Sequence, residues 1–258
     1  MRASLKGWLS AFRSALAMPL STTGISGLDA QLGGGVPRGC TLLLLGDPGN
    51  AISVFSEQFA AGGVENGENV FYYEFDRPVN RVRDQILGYT RGVQPRPDQL
   101  KVYDGYSTQF GRGASASAQA AGATPLPRAD AFASMLRDLQ SVGRDRPYRL
   151  VVESLSAVTT RENQAQVVEL LRNLTFLSHE LGGIHLVSLV KGLHDPVFET
   201  QLKHLASGVL EMGTERKGFG LYSYLMVTKL LNVADPVRIL LFKETDKGLW
   251  LESTKRVF

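Results

Sequence analysis

Cysteine is nearly missing from this sequence: Cys40 is its one example. That excludes an internal disulfide framework and a cysteine-based zinc site. Histidine is scarce too, and His179, His185, His194 and His204 show no metal-ligand spacing. No run of apolar residues approaches the roughly 18 that a membrane span requires. Charge of one sign does not dominate either. The 28 basic and 25 acidic residues leave a formal +3, which permits an anionic partner without demanding one. A cytoplasmic setting is expected, where an unpaired thiol stays reduced. What is present is an ordinary globular composition, 43% hydrophobic and 21% charged over 258 residues. That is enough chain for one substantial core.

Residues 1–18 read as an amphipathic helix. Leu5, Trp8, Leu9, Phe12 and Leu16 recur at helical spacing, and Arg2, Lys6 and Arg13 carry charge with no acid among them. Such a stripe folds back on its own domain or a neighbouring subunit, or it lies on a membrane surface. Polar residues interrupt it throughout, which argues against a cleaved signal peptide.

Residues 19–258 are expected to form one domain. Strand-like runs at 41–45, 70–75, 102–104, 150–152 and 184–189 alternate with helix-like stretches at 51–61, 78–87, 130–139 and 163–181. Gly62 and Gly63 are expected to close the first helix, and Asp130 to cap the third. This rhythm predicts a mainly parallel sheet with helices on both faces. Beyond residue 208, short strands at 209–212, 222–228, 237–242 and 249–252 are parted by turn signals, which predicts antiparallel strands on one edge. Residues 105–129 are rich in Gly, Ala, Ser and Gln and are expected to form a mobile loop. Cys40 is expected to be buried, with His179 and His185 as surface or capping groups.

The chemistry centres on one loop. After the strand at 41–45 come Gly46, Asp47, Pro48, Gly49, Asn50, Ala51, Ile52 and Ser53, and a helix follows. A phosphate-binding loop in this setting reads G-x-x-x-x-G-K-S/T. Its glycines let backbone N–H groups wrap the phosphates, its lysine reaches the β and γ phosphates, and its hydroxyl holds magnesium. Here Ser53 supplies the hydroxyl, but Ala51 stands for the second glycine and Ile52 for the lysine. Losing that charge-assisted contact, worth roughly 1.5–3 kcal/mol, weakens triphosphate binding by roughly ten- to a hundredfold. Taken alone, these eight residues also suit a plain strand-to-helix turn.

The flanks decide between the two. Ser21-Thr22-Thr23-Gly24-Ile25-Ser26-Gly27-Leu28-Asp29, then Leu32-Gly33-Gly34-Gly35-Val36-Pro37-Arg38-Gly39, resemble the opening of KaiC-like proteins of the RecA/RadA superfamily. In that family T-G-I/V-x-G-L-D and L-G-G-G-I/V-P-x-G lead into the first strand and its phosphate loop. Tyr224 to Lys229 resembles the late strand ending in K-x-R, and Phe242 to Leu249 resembles F-x-I-T-x-x-G-I/V. The resemblance covers nearly all of the chain beyond about residue 20. It implies a RecA-like P-loop fold, ATP or ADP with magnesium as the ligand, and assembly with other copies or with active relatives.

The departures carry as much as the matches. The family's paired acids for the attacking water fall on Phe75 and Asp76, and Glu74 would serve only from the opposite face of its strand. The Asp-Ser that ends the family's magnesium-binding strand is Glu153-Ser154, so Ser53 and Glu153 are the candidate magnesium ligands, should a nucleotide bind. Of K-x-R, which reaches the neighbouring subunit's γ-phosphate, Lys229 remains as the trans-subunit candidate and Leu231 replaces the arginine. Four altered parts of one machine imply a non-catalytic or weakly nucleotide-binding protein with a regulatory or scaffolding role in recombination, repair or signalling. The alternatives are a slow ATPase using Ser53, Glu153 and Asp76 with a lysine such as Lys191 or Lys229, or a DNA-binding recombinase paralogue. For DNA, residues 156–161 and 191–195 offer Arg161, Lys191 and His194, and Arg112 lies in the loop. No aromatic residues interleave with them as a stacking platform.

Overall fold

A computed structural model of the chain describes residues 19–49, 51–110, 119, 122–126, 131–143, 146–160, 163–218, 220–231 and 238–252. The helix expected at 1–18, Asn50, Arg112, Asp130 and Arg161 lie outside them.

In chain order the elements are β1 (Leu20–Ser21), α1 (Ser26–Gln31), β2 (Val36–Pro37), β3 (Cys40–Gly46), α2 (Ile52–Glu65), β4 (Asn69–Glu74), α3 (Val82–Tyr89), β5 (Leu100–Asp104) and β6 (Thr124–Pro125). Then follow α4 (Ala131–Gln140), β7 (Tyr148–Glu153), α5 (Leu155–Val158), α6 (Gln164–Leu181), β8 (Ile184–Val190), α7 (Pro196–Leu205), β9 (Gly208–Lys217), β10 (Gly220–Leu230), β11 (Arg238–Thr245) and β12 (Gly248–Leu251). The main sheet runs β12-β11-β10-β9-β3-β8-β7-β4-β5-β6. From β9 to β6 every pairing is parallel, and β9 to β12 form an antiparallel edge.

The central strands are buried on both faces, which is why 41–45 reads as an unbroken apolar run. Alternation then splits the core in two. Leu42, Leu44, Tyr72 and Val151 face α1, α2 and α3, packing with Leu28, Phe55, Phe59 and Ile86. Leu43, Leu45, Tyr73 and Val152 face the other layer, with Met135, Leu171, Leu174 and Phe198. The α/β class, the parallel sheet and the antiparallel edge all match the expectation from the sequence.

Several local readings need correcting. Gly62 and Gly63 do not end α2, which continues to Glu65. They lie where neighbours leave no room for a side chain. A Cβ on Gly62 would stand 2.7 Å from Gly24 Cα, and one on Gly63 would stand 2.8 Å from Val70 Cγ2. Close packing, rather than termination, asked for glycine. Of the stretch at 105–129, the described residues include a helical turn at Ser107–Phe110 and the strand β6, which pairs with β5, and the rest lies outside the description. Helix α7 went unread, although Asp195 caps it by accepting from Val197 N at 2.8 Å, with Pro196 in its first turn. His185 is no surface group: it is wholly buried in β8, with Tyr148 Oη 2.9 Å from Nε2 and Thr41 Oγ1 3.3 Å from Nδ1. His179 is exposed.

Beneath the sheet, Arg149 is also fully buried. Its Nε donates to Glu68 at 2.8 Å, its Nη1 to Phe59 O at 2.6 Å and its Nη2 to Thr22 O at 2.9 Å. Its guanidinium lies 4.3 Å from the Phe59 ring centre. Glu68 takes a second cation, Arg38, at 2.5 Å, and the Ser21 hydroxyl at 2.8 Å. This network fastens the segment before α1 to the sheet. Cys40 is buried at the start of β3, and burial pushes its thiol up to about 12.

Candidate functional site

The loop from Gly46 to Ser53 leaves the C-terminal end of β3 and turns directly into α2. Its root is stitched to both neighbouring strands: Lys191 N donates to Gly46 O at 2.9 Å, and Asp47 N donates to Met212 O at 3.2 Å. Gly49 takes φ +84°, a left-handed conformation glycine adopts without strain. Ile52 shapes what remains. A Cβ on Gly46 would stand 2.5 Å from Ile52 Cγ1 and 2.6 Å from Ile52 Cδ1, so the isoleucine lies across the strand end. Its side chain is half-buried and packs against the edge of the apolar core under α2 together with Ala51. Apolar contact favours that packing, so the position that would carry the lysine sets hydrocarbon against the core.

Below the loop lies a knot of buried carboxylates. Glu74 ends β4 and Glu153 ends β7, and the two are paired in register on adjacent parallel strands. Alternation puts both on the face that carries α2. Ser53, in the first turn of α2, donates its hydroxyl to Glu153 Oε1, and Tyr72 Oη donates to Glu153 Oε2. Glu57 follows one turn later on α2. Arg77 Nη2 lies 2.5 Å from Glu57 Oε1 and 3.7 Å from Glu153 Oε2, and its Nε lies 3.2 Å from Glu74 Oε2. The other Glu74 oxygen accepts from the backbone N–H groups of Asp76 (2.8 Å) and Arg77 (3.2 Å). Asp76 Oδ2 accepts from the Ser154 hydroxyl at 2.7 Å.

Three carboxylates around one guanidinium leave an excess of negative charge, and burial makes that unfavourable. Burial, offset in part by Arg77, lifts Glu57 to about 6. Burial and then the Glu153 charge raise Glu74 well above the carboxylate range. Burial also raises Glu153, against the pull of Arg77, Ser53 and Tyr72. Arg77 moves the other way: burial opposes its charge, but Glu153, Tyr72, Glu74 and Glu57 outweigh it and hold it protonated.

The structure thus brings together Ser53, Glu74, Asp76 and Glu153. Glu74, expected to serve only from the opposite face, sits on the loop's side of the sheet, because alternation along β4 puts it on the face of Tyr72. Phe75 points to the opposite layer, against Gly105. Glu57, Tyr72 and Arg77 were missed. Glu57 is four residues from Ser53 on one helix face, and Tyr72 is two before Glu74 on one strand face, so both were open to periodicity. Arg77 follows the strand in a loop and carried no such signal. Lys229 lies on β10, far along the sheet order, where its Nζ donates to the carbonyls of Lys203 (3.3 Å) and His204 (2.8 Å) at the end of α7. Lys191 Nζ pairs with Glu211 at 3.1 Å.

These residues do not fit a magnesium-bound triphosphate. A guanidinium stands among the acids, and a half-buried isoleucine stands where an ammonium would grip the phosphates. Among the described residues no group of three or more acids, histidines or cysteines is placed to hold a metal ion. In the loops considered for DNA, His194 Nε2 lies 2.9 Å from Ser156 Oγ, and burial lowers its pKa. No described helix is long and apolar enough to cross a membrane.

Comparison with known proteins agrees with the architecture. A family model described as "ATPase: KaiC" matches residues 21–255. A UPF0273 protein of Methanopyrus kandleri is 26% identical over 252 residues, covering 93% of this chain and 94% of that protein. A circadian clock protein, KaiC3 of Synechocystis, is 29% identical over 162 residues, covering 62% of this chain and 30% of its own length. Among solved structures, a KaiC-like protein of Pyrococcus horikoshii superposes with a TM-score of 0.65 at 19% identity, covering 91% of this chain and 99% of that one.

Proposed function

The chain belongs to the KaiC ATPase family, and within it we propose that this protein is a non-catalytic member acting as a regulatory or scaffolding partner. Ile52 carries the reading. It stands at the lysine position and lies half-buried across Gly46, and the nearby ammonium of Lys191 is paired with Glu211 while Lys229 bonds the end of α7. A loop that neither grips a γ-phosphate nor frees its hydroxyl for magnesium has little with which to stabilise a phosphoryl-transfer transition state. What the fold retains is its surfaces. The expected partners are proteins: further copies of this chain, or active RecA-like relatives in a shared assembly. Recombination, repair and signalling are the settings such an assembly would serve.

Calorimetric titration with magnesium-ATP, together with a turnover assay, tests the reading. Binding at least tenfold weaker than in a lysine-bearing relative, with no turnover above background, is expected. The convergence of Ser53, Glu153 and Asp76 at the loop favours a second reading, a slow ATPase. Turnover that Glu153→Gln abolishes would establish that reading and displace the first.

A further inference from the structure

We propose that residues 1–18, which lie outside the described residues, dock as a helix in the groove between α6 and α7 of the same chain. The groove has a volume of about 590 Å³ and is lined by Val168 and Arg172 of α6 and by Val197, Gln201, His204 and Leu205 of α7. Val168, Val197 and Leu205 make its walls largely hydrocarbon. Phe176 extends the α6 wall, since Val168, Arg172 and Phe176 recur every four residues along one stripe. Val197 is 66% exposed and Phe176 61%. Both helices bury their other apolar residues against the sheet, so these are left where a further element would gain by covering them.

The described chain begins beside one end of that groove. Pro19 O accepts from Arg38 N at 3.0 Å, and the carbonyl of the next residue, Gly39, accepts from Ser178 Oγ at 3.3 Å. Ser178 lies in the last turn of α6, so residue 18 joins the domain next to where α6 ends. Eighteen residues in helical form span about 27 Å, and α6 is itself 18 residues long. A helix entering there matches α6 along its whole length. Leu5, Trp8, Leu9, Phe12 and Leu16 give it one apolar stripe for the groove, and Arg2, Lys6 and Arg13 fall on one flank of that stripe. The stripe that would otherwise seek a membrane or a second copy is thereby satisfied within its own chain. The groove lies on the opposite face of the sheet from Ser53 and Glu153, so the inference stands apart from the non-catalytic reading.

Tryptophan fluorescence tests it on the full-length chain. Trp8 and Trp250 are the two tryptophans, and Trp250 is 55% exposed, so a Trp250→Phe protein reports on Trp8 alone. Blue-shifted emission and weak acrylamide quenching are expected, both unchanged on dilution and on adding vesicles of anionic phospholipid. In that background Val197→Glu sets a charge in the groove, and Phe176→Ser strips the opposite wall. Each should shift emission to the red and raise quenching several-fold, with circular dichroism showing that the fold is kept. The two substitutions lie on different helices, so one suffices if the other fails to fold. Ile239→Glu, at an exposed position on β11, should change neither reading. Four results overturn the proposal: Trp8 exposed to solvent in buffer, Trp8 indifferent to both groove substitutions, burial lost on dilution, or burial seen only with vesicles. The third would assign the segment to a neighbouring copy, and the fourth to a membrane surface.

Discussion

The side chain of Ile52 occupies the space a Cβ on Gly46 would need, with Cγ1 2.5 Å from that position. The glycine at the end of β3 is thus matched to the isoleucine that begins α2. Gly46→Ala is expected to destabilise the protein by about 1–3 kcal/mol through overpacking. Made in an Ile52→Ala background, the same change should cost markedly less. Urea unfolding of the four proteins in this cycle measures the coupling; additive losses would contradict it.

Restoring the loop chemistry should restore affinity before activity. Ile52→Lys with Ala51→Gly returns the ammonium and the second glycine, and calorimetry should show ATP binding strengthened roughly ten- to a hundredfold. Turnover is expected to stay at background, because Ser53, Glu153 and Arg77 remain bound to one another. A doubly substituted protein with no gain in affinity would show that the loop's shape, not its chemistry, limits binding.

Arg149 is predicted to be the most sensitive polar position. Arg149→Ala leaves Glu68 with only Arg38 as its cation and frees the segment at Thr22. Breaking a buried pair by removing one partner costs about 3–5 kcal/mol. Adding Glu68→Gln should recover part of that loss in a denaturant titration. If the double variant is less stable than the single one, the charge of Glu68 is not what Arg149 serves.

Acid should act on two buried groups with opposite sign. Burial lowers His185 to about 3, so the unfolded chain binds its proton first, and stability falls as pH drops from about 6.5 toward 3. The slope approaches 1.4 kcal/mol per pH unit. Glu57 is raised to about 6. Its protonated form is favoured in the folded state, so it adds stability as pH falls through 6 toward 4.5. His185→Gln should therefore flatten acid unfolding, and Glu57→Gln should steepen it between pH 6 and 4.5. Identical pH profiles for wild type and His185→Gln would refute the first half.

How much of this was legible depends on the range of the signal. The apolar runs of β3 and β7 and the acid-to-strand spacing of Glu153 are local, and they put the loop, the sheet and Ser53 in place from sequence alone. Pairing was not local. The buried state of His185 follows from Tyr148 and Thr41 on neighbouring strands, and nothing around residue 185 announces it. Gly62 and Gly63 looked like a stop, since glycine ends helices more often than it lies inside them; the demand came from Gly24 and Val70. Arg77 was invisible for the same reason, because its meaning comes from three acids drawn from three separate elements.

Cys40 offers a practical dividend. With the chain's single thiol sealed at the start of β3 and held protonated at neutral pH, a dye or spin label aimed at a newly introduced surface cysteine would find one reactive sulfur per molecule. Distances across an assembly could then be measured on protein whose native residues all remain in place, apart from the labelled position.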